Sequence, residues 1–257
     1  MLEAKLEQAA LLKKVIEAIR ELVSDCNFDC SESGIALQAI DSSHIALVSL
    51  LIGSEGFSSY RSDRSITLGI NINSMSKVLR CAANEDILIL RANDQASELS
   101  LTFEDSTQDR ISEFTLKLMN IDQEHLSIPE SEYTVSITMP TVEFQRICRD
   151  LRIISESVKI EATKDGVRFI AEGDIGNGAI NIKPYSDLEK KENSIILNVS
   201  EPVSMGFNLQ YLNNICKGGA LSQTVTLQLC DELPIEIEYK LPNGHLRYYL
   251  APKIDNE

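Results

Sequence analysis

Basic side chains recur at helical spacing in four separate segments of the chain. Arg146, Arg149 and Arg152 are three residues apart, so on a helix they form a stripe beside the apolar face. The remaining cations of these segments are Lys13, Lys14, Arg20, Lys77, Arg80 and Lys217. Such groups bind phosphates through charge, and phosphate contacts carry no sequence information. The predicted chemistry is electrostatic attachment to a polyanion.

No set of residues has the spacing of a catalytic or metal site. The three histidines, His44, His125 and His245, are far apart, and neither a phosphate loop nor a nucleophile elbow is present. The six cysteines lie in apolar segments, and we expect them to be reduced and mostly packed. An enzyme that uses the abundant carboxylates for acid–base or metal chemistry is the alternative. We expect no enzyme activity, no cofactor and no metal.

Net charge at first opposes a polyanionic partner, because 24 basic and 39 acidic side chains give −15. Residues 9–22, 72–83, 141–154 and 209–219 nevertheless contain nine basic and four acidic residues, against 15 and 35 elsewhere. Amphipathic helices often expose cations without a function. Repetition of the pattern favours a basic surface on an acidic body. The sequence lacks a leader pattern and an apolar stretch of membrane length, so we expect no membrane association.

An internal repeat predicts the elements that carry these cations. Shifted by 132 positions, residues 10–20 match 142–152, and 28–37 match 160–169. A weaker match at 137 positions aligns 74–80 with 211–217, each followed by an alternating strand. Gly34 and Gly166 coincide, as expected if each supplies the positive φ of a tight hairpin turn.

The repeat predicts an α+β fold of two similar domains, in which short helices cover one face of antiparallel sheets. We place the first domain at residues 1–117, a connector at 118–134 and the second domain at 135–257. The connector is acidic, lacks a clean period and contains Pro129. It also carries Leu126, Ile128 and Tyr133, apolar side chains that a plain spacer does not need.

Short motifs run through the whole chain. They include Asp41-Ser42-Ser43-His44, Glu55-Gly56-Phe57, Ser74-Met75-Ser76-Lys77, Asn84-Glu85-Asp86, Leu116-Lys117-Leu118-Met119, Arg146-Ile147-Cys148-Arg149-Asp150-Leu151, Lys164-Asp165-Gly166-Val167, Gly173-Asp174-Ile175-Gly176-Asn177-Gly178 and Tyr248-Tyr249-Leu250-Ala251-Pro252-Lys253-Ile254. In number, order and spacing, the chain resembles the proliferating cell nuclear antigen family of eukaryotic DNA sliding clamps.

This resemblance implies a homotrimeric ring of six similar domains that encircles duplex DNA without reading its sequence. The protein would act in the nucleus as a processivity factor and as a platform for replication, repair and translesion enzymes. The implied DNA-binding residues are Lys13, Lys14, Arg20, Lys77, Arg80, Arg110, Arg146, Arg149 and Lys217. Gln210, Asn213-Asn214 and Gly218-Gly219 depart from the family pattern and make the fourth helix polar and weak; Arg152 could compensate from the third helix.

The resemblance also implies protein interfaces. The trimer interface would contain Cys81, Arg110, Phe114, Leu116, Leu151, Ile154, Ile175, Gly178 and Ile180. A pocket for short glutamine, aliphatic and aromatic motifs would serve DNA polymerases, the clamp loader, flap nuclease and ligase. Its implied residues are Ile40, Ser42, His44, Ile45, Leu47, Leu126, Ile128, Pro129, Tyr133, Pro234, Tyr249, Leu250, Ala251, Pro252, Lys253 and Ile254. Lys164 resembles the family's acceptor of ubiquitin or a ubiquitin-like modifier.

One alternative shares the expected fold. A subunit of a heterotrimeric checkpoint clamp would differ in its partner pocket and its interfaces, and full-length similarity to the homotrimeric branch argues against it.

Overall fold

The computed structural model describes residues 1–95, 97–105, 107, 109–122, 126 and 132–253. Contacts divide the chain into two compact units. Unit 1 comprises Met1–Ser42, Val48–Ser127 and Leu241–Leu246, and unit 2 comprises Ser43–Leu47, Ile128–Lys240 and Arg247–Glu257. The predicted Ile128, Pro129 and Ile254 lie outside the described residues.

The N-terminal half contains nine strands and two α-helices among the described residues. The strands are β1 (Leu2–Leu6), β2 (Asp25–Ser31), β3 (Gly34–Ile40), β4 (Ala46–Gly53), β5 (Ser59–Ser62), β6 (Ile66–Asn71), β7 (Ile87–Ala92), β8 (Glu98–Glu104) and β9 (Ile111–Lys117). The helices are α1 (Ala10–Ile19) and α2 (Ile72–Leu79). The strands are arranged in the orders β5-β1-β7-β8-β9 and β4-β3-β2-β6.

The C-terminal half repeats this sequence of elements. Its strands are β10 (Val135–Pro140), β11 (Ser157–Thr163), β12 (Gly166–Gly173), β13 (Gly176–Ile182), β14 (Ile196–Val199), β15 (Val203–Asn208), β16 (Thr224–Leu229), β17 (Ile235–Leu241) and β18 (Gly244–Leu250). Its helices are α3 (Thr141–Arg152) and α4 (Leu209–Ile215). The orders β14-β10-β16-β17-β18 and β13-β12-β11-β15 match those of the N-terminal half strand for strand. The prediction of two similar α+β halves is therefore confirmed.

Alternating side chains place the core between helices and sheets within each unit. Strand β11 buries Val158, Ile160 and Ala162 and exposes the intervening positions to a greater extent. Helix α1 buries Val15 and Ile16 completely. Within unit 1, α1 packs against α2, and within unit 2, α3 packs against α4. Each unit thus carries a pair of adjacent helices whose apolar faces are covered.

Two glycines close the equivalent hairpins of the repeat. Gly34 and Gly166 have φ angles of 133° and 159°, which confirms the predicted positive φ. A Cβ atom at Gly34 would lie 2.2 Å from the Ile52 carbonyl oxygen, and one at Gly166 would lie 2.5 Å from the Ile182 carbonyl oxygen. Both the turn conformation and the close backbone contact therefore require glycine.

Candidate nucleic-acid interface

Helix α1 separates its apolar and basic residues as its spacing predicts. Lys14 is exposed, whereas Lys13 is half-buried and its Nζ donates a hydrogen bond to the Ala82 carbonyl oxygen at 2.7 Å. Ala82 follows the C-terminus of α2, where a cation is favoured by the helix dipole. Lys13 therefore joins the two helices of unit 1 as well as contributing charge.

Glu17 lies among the cations of α1 and α2. Its Oε2 is 3.1 Å from Arg20 Nε, an ion pair without hydrogen-bond alignment, and its Oε1 is 3.6 Å from an Arg80 terminal nitrogen. Ser76 Oγ donates a hydrogen bond of 2.8 Å to the same Oε1. Exposed Lys77 lies one residue beyond Ser76 on α2. The Glu17 carboxylate thus forms ion pairs with two predicted DNA-binding arginines.

Helix α2 begins at Ile72, two residues before the matched segment. Asn71 caps it by accepting a hydrogen bond of 2.8 Å from the Ser74 backbone N–H. Met75 and Leu79 are buried on one side, so Lys77 is directed to solvent.

The predicted arginine stripe lies on α3. Arg146 and Arg149 have 68% and 71% of their side-chain surface exposed, while Phe144 and Ile147 are buried beneath the helix. Asp150 Oδ2 is 3.6 Å from Arg146 Nε, and Asp150 Oδ1 is 3.1 Å from Arg149. Unit 2 therefore also places one carboxylate between two arginines.

Polar side chains connect α4 to α3. Asn213 Nδ2 donates hydrogen bonds to the carbonyl oxygens of Leu209 at 2.8 Å and Cys148 at 3.2 Å. An Arg152 terminal nitrogen donates to Gln210 Oε1 at 3.4 Å, so this arginine reaches the position where the family often has a cation. The polar residues of α4 therefore attach it to its neighbour.

Four predicted cations lie outside the α-helices: Arg20 and Arg80 directly follow α1 and α2, and the other two are Lys217 and Arg110. Helix α4 ends at Ile215, and Lys217 lies in the following 3-10 turn, Cys216–Ala220, rather than on the fourth helix as expected. Gly218 and Gly219 in this turn have low helix propensity, which explains the early end. Arg110 precedes β9, and its Nε donates to Ser112 Oγ at 3.2 Å.

Residues predicted for the trimer interface lie at and beside two edge strands. β9 ends one sheet order of the N-terminal half, and β13 ends one of the C-terminal half. A Cβ at Gly178 on β13 would lie 2.5 Å from Ile154 Cδ1 and 3.5 Å from Leu151 Cδ2, so these three residues are in contact. Cys81 and Ile175 are exposed, Phe114 and Ile180 are half-buried, and Leu116 is buried.

Residues predicted for the partner pocket fall into both units. In unit 1, the Leu126 backbone exchanges two hydrogen bonds with Gln38, at 2.7 and 2.8 Å, and Ile40 is half-buried. In unit 2, the Ala251 N–H donates to the Ile45 carbonyl oxygen at 3.0 Å, and the Lys253 N–H donates to that of Gly206 at 2.8 Å. The exposed residues of this set are Ser42, His44, Ile45 and Pro234. The half-buried ones are Tyr133, Tyr249, Ala251 and Pro252, and the buried ones are Leu47 and Leu250.

An ionic network that was not predicted lies beside Tyr133 and Tyr249. Glu236 and Glu238 are 7% exposed, and Arg247 Nε donates to Glu238 Oε2 at 2.6 Å. Burial, followed by the charge of Glu236, raises the pKa of Tyr133 to about 12, and the pKa of Tyr249 is raised by the same two causes. The alternation of Ile235-Glu236-Ile237-Glu238 was the available signal.

Lys164 is exposed in the turn between β11 and β12, where it lies beside Asp165. Among the described residues, no group of three or more histidine, cysteine or acidic side chains could hold a metal ion. The described part of the chain also contains no helix that is long and apolar enough to span a membrane.

Comparison with known proteins covers nearly the whole chain. Residues 1–125 match the model described as "Proliferating cell nuclear antigen, N-terminal domain", and residues 127–254 match the corresponding C-terminal domain. The chain is 58% identical over 258 residues to the proliferating cell nuclear antigen of Chaetomium thermophilum, with 100% of each sequence covered. The chain belongs to the proliferating cell nuclear antigen family.

Proposed function

We propose that three copies of this chain form a ring around duplex DNA, which they contact through the basic side chains of α1 to α3 and through Arg20, Arg80 and Lys217, which follow α1, α2 and α4. The family is one of non-enzymatic sliding clamps and processivity factors, and the homotrimeric ring is its norm. The observation that carries the assignment of the DNA face is the adjacent helix pair in each unit, with exposed Lys14, Lys77, Arg146 and Arg149.

The DNA contacts are weak and independent of sequence. Cations on the helices meet phosphates, which position the duplex and specify no bases. Retention comes from closure of the ring, so the individual contacts can exchange rapidly. Acidic residues outnumber basic ones more than twofold outside the four helical segments, which disfavours DNA binding elsewhere.

Charge reversal tests this assignment. Arg146→Glu combined with Arg149→Glu should impair loading and clamp-dependent DNA synthesis, because four units of charge change in each protomer. The matched control is Lys159→Glu with Arg168→Glu, since Lys159 and Arg168 are exposed on β11 and β12 while the buried residues of these strands face the core. Light scattering should give three times 28.6 kDa for both variants. Equal synthesis by both variants would refute the helix assignment.

The trimer interface proposal joins β9 of one protomer to β13 of the next. Each strand has seven residues and an unpaired edge within its own sheet. Edge strands can form backbone hydrogen bonds with another chain. Contact of Gly178 with Ile154 and Leu151 supports the inclusion of all three in the interface.

The partner pocket includes the C-terminal segment that the Ile45 and Gly206 carbonyl oxygens hold in unit 2. Polymerases are general partners of this family. The loader, flap nuclease and ligase would use the same pocket through glutamine, aliphatic and aromatic motifs. Truncation before Pro252 should weaken such a peptide in calorimetry and leave the trimer mass unchanged. Unchanged peptide affinity would remove this segment from the pocket.

Three further assignments complete the proposal. Residues 118–134 connect the domains 1–117 and 135–257, which is supported by the boundary of the family matches after residue 125. Exposure of Lys164 supports its modification by ubiquitin or a related protein. The protein is DNA-associated, and we place its work in the nucleus.

A further inference from the structure

Each unit contains one carboxylate that contacts two arginines of the proposed DNA face. In unit 1, Glu17 lies 3.1 Å from Arg20 and 3.6 Å from Arg80. In unit 2, Asp150 lies 3.1 Å from Arg149 and 3.6 Å from Arg146. The two clusters have nearly the same distances although they are built from different elements.

The repeat does not by itself account for this agreement. In the 132-residue register, Glu17 is opposite Arg149, and Asp150 is opposite the buried Ala18. The carboxylate of unit 1 pairs with cations at the ends of α1 and α2, whereas that of unit 2 pairs with cations on α3 alone. Two different local sequences thus place one carboxylate beside two arginines in each unit, and in unit 1 Glu21 adds a second carboxylate 3.5 Å from Arg20.

Both carboxylates remain accessible to solvent, and so do most of their arginine partners. The exposed side-chain fractions are 47% for Glu17 and 41% for Asp150. Exposed ion pairs are weak and are screened by salt, so a phosphate can displace the carboxylate. Ser76 holds Glu17 in place when its arginines turn away. A phosphate that binds the arginine then lies within a Debye length, ~8 Å, of the carboxylate. The two negative charges repel each other.

We propose that Glu17 and Asp150 are counter-charges that compete with DNA phosphates for these arginines and keep the ring mobile on DNA. The inference rests on the proposed function of the helices. The carboxylates set the strength of phosphate contacts that the arginines supply. Their removal should tighten DNA binding, which is the opposite of the result for a residue needed only to orient the arginines.

The test uses the full trimer carrying Glu17→Gln, Asp150→Asn or both, with a short linear duplex as the probe. Fluorescence anisotropy between 50 and 200 mM salt should give about a two- to fivefold gain in affinity for each single variant at low salt. The gain should shrink as salt rises. Tracking of single rings on long DNA should show slower diffusion for the double variant.

The matched control is Glu161→Gln, which removes a carboxylate 3.4 Å from Lys159 on a strand of unit 2. The inference is overturned if Glu17→Gln and Asp150→Asn bind DNA with the same affinity as this control. It is also overturned if they bind DNA more weakly than the unsubstituted ring. Weakening would assign the carboxylates an orienting role. If the unsubstituted ring shows no salt-sensitive DNA binding, the proposed DNA face itself fails, and the inference fails with it.

Discussion

Substitution of Gly218 by alanine should destabilise unit 2 and disturb the turn that carries Lys217. A Cβ atom at Gly218 would lie 2.5 Å from both Cδ2 and Cε2 of Tyr239. The phenol ring is fully buried and packs edge-on against Tyr248, with centroids 6.2 Å apart, so it has little room to move. Forced overpacking of this kind typically costs about 1–3 kcal/mol.

For a chain of this size, that cost corresponds to a decrease in Tm of roughly 2–12 °C. Gly206→Ala is the control in the same unit, because the nearest atom to its Cβ would be Lys253 Cβ at 3.8 Å. Its change in unfolding free energy should remain within about 0.5 kcal/mol. Differential scanning calorimetry measures both variants, and DNA binding by the folded Gly218→Ala ring reports on Lys217.

A smaller side chain at position 239 provides a second check on the cause. Tyr239→Leu removes the atoms that would clash, so its combination with Gly218→Ala should lose less stability than the sum of the single variants. Equal melting of Gly218→Ala and Gly206→Ala would refute the packing argument. If the losses of stability in the double variant are additive, the strain caused by Gly218→Ala does not come from contact with Tyr239.

Three other predictions concern single groups. Tyr239→Phe should stabilise the protein by about 1 kcal/mol in urea unfolding, because the buried hydroxyl has no hydrogen-bond partner among the described residues. Tyr60→Phe should instead cost about 0.5–1.5 kcal/mol, because this hydroxyl lies 2.8 Å from the Ser31 and Gly34 carbonyl oxygens; equal effects would contradict both assignments. Cys81, exposed in the single chain, should react slowly with a thiol reagent in the trimer and quickly after dilution to monomers. Fast labelling in the intact trimer would exclude Cys81 from the interface.

The helices were predictable because their burial has a 3.6-residue period and occurs twice. Phe144, Ile147 and Leu151 are all buried on α3, and this spacing is visible in the sequence. The ends of the helices were harder to predict, since they depend on local hydrogen bonds. Asn71 starts α2 early by accepting the Ser74 N–H, and Asn208 does the same for α4 through Gln210 and Tyr211.

The basic residues of the candidate site were also visible, but the acidic residues beside them were not recognised. The spacings Glu17 to Arg20 and Arg146 to Asp150 are three and four residues, which are the distances of neighbours on a helix. Arg80 is 63 positions from Glu17, so that contact requires the packing of α1 on α2. Sequence spacing therefore contains the whole cluster of unit 2, which lies on α3 alone, but only the Glu17–Arg20 pair of the unit 1 cluster.

The polar fourth helix shows why a weak local sequence need not indicate a weak site. Helix α4 has seven residues, too few to be stable by itself in water. Asn213 bonds to the Cys148 carbonyl oxygen on α3, and Gln145 on α3 donates to the Cys216 carbonyl oxygen at 2.8 Å. These bonds attach the C-terminal part of α4 and the start of the following turn to a longer helix. The contacts supply the order that intrinsic propensity lacks, so Lys217 can occupy a defined place on a turn that contains two glycines.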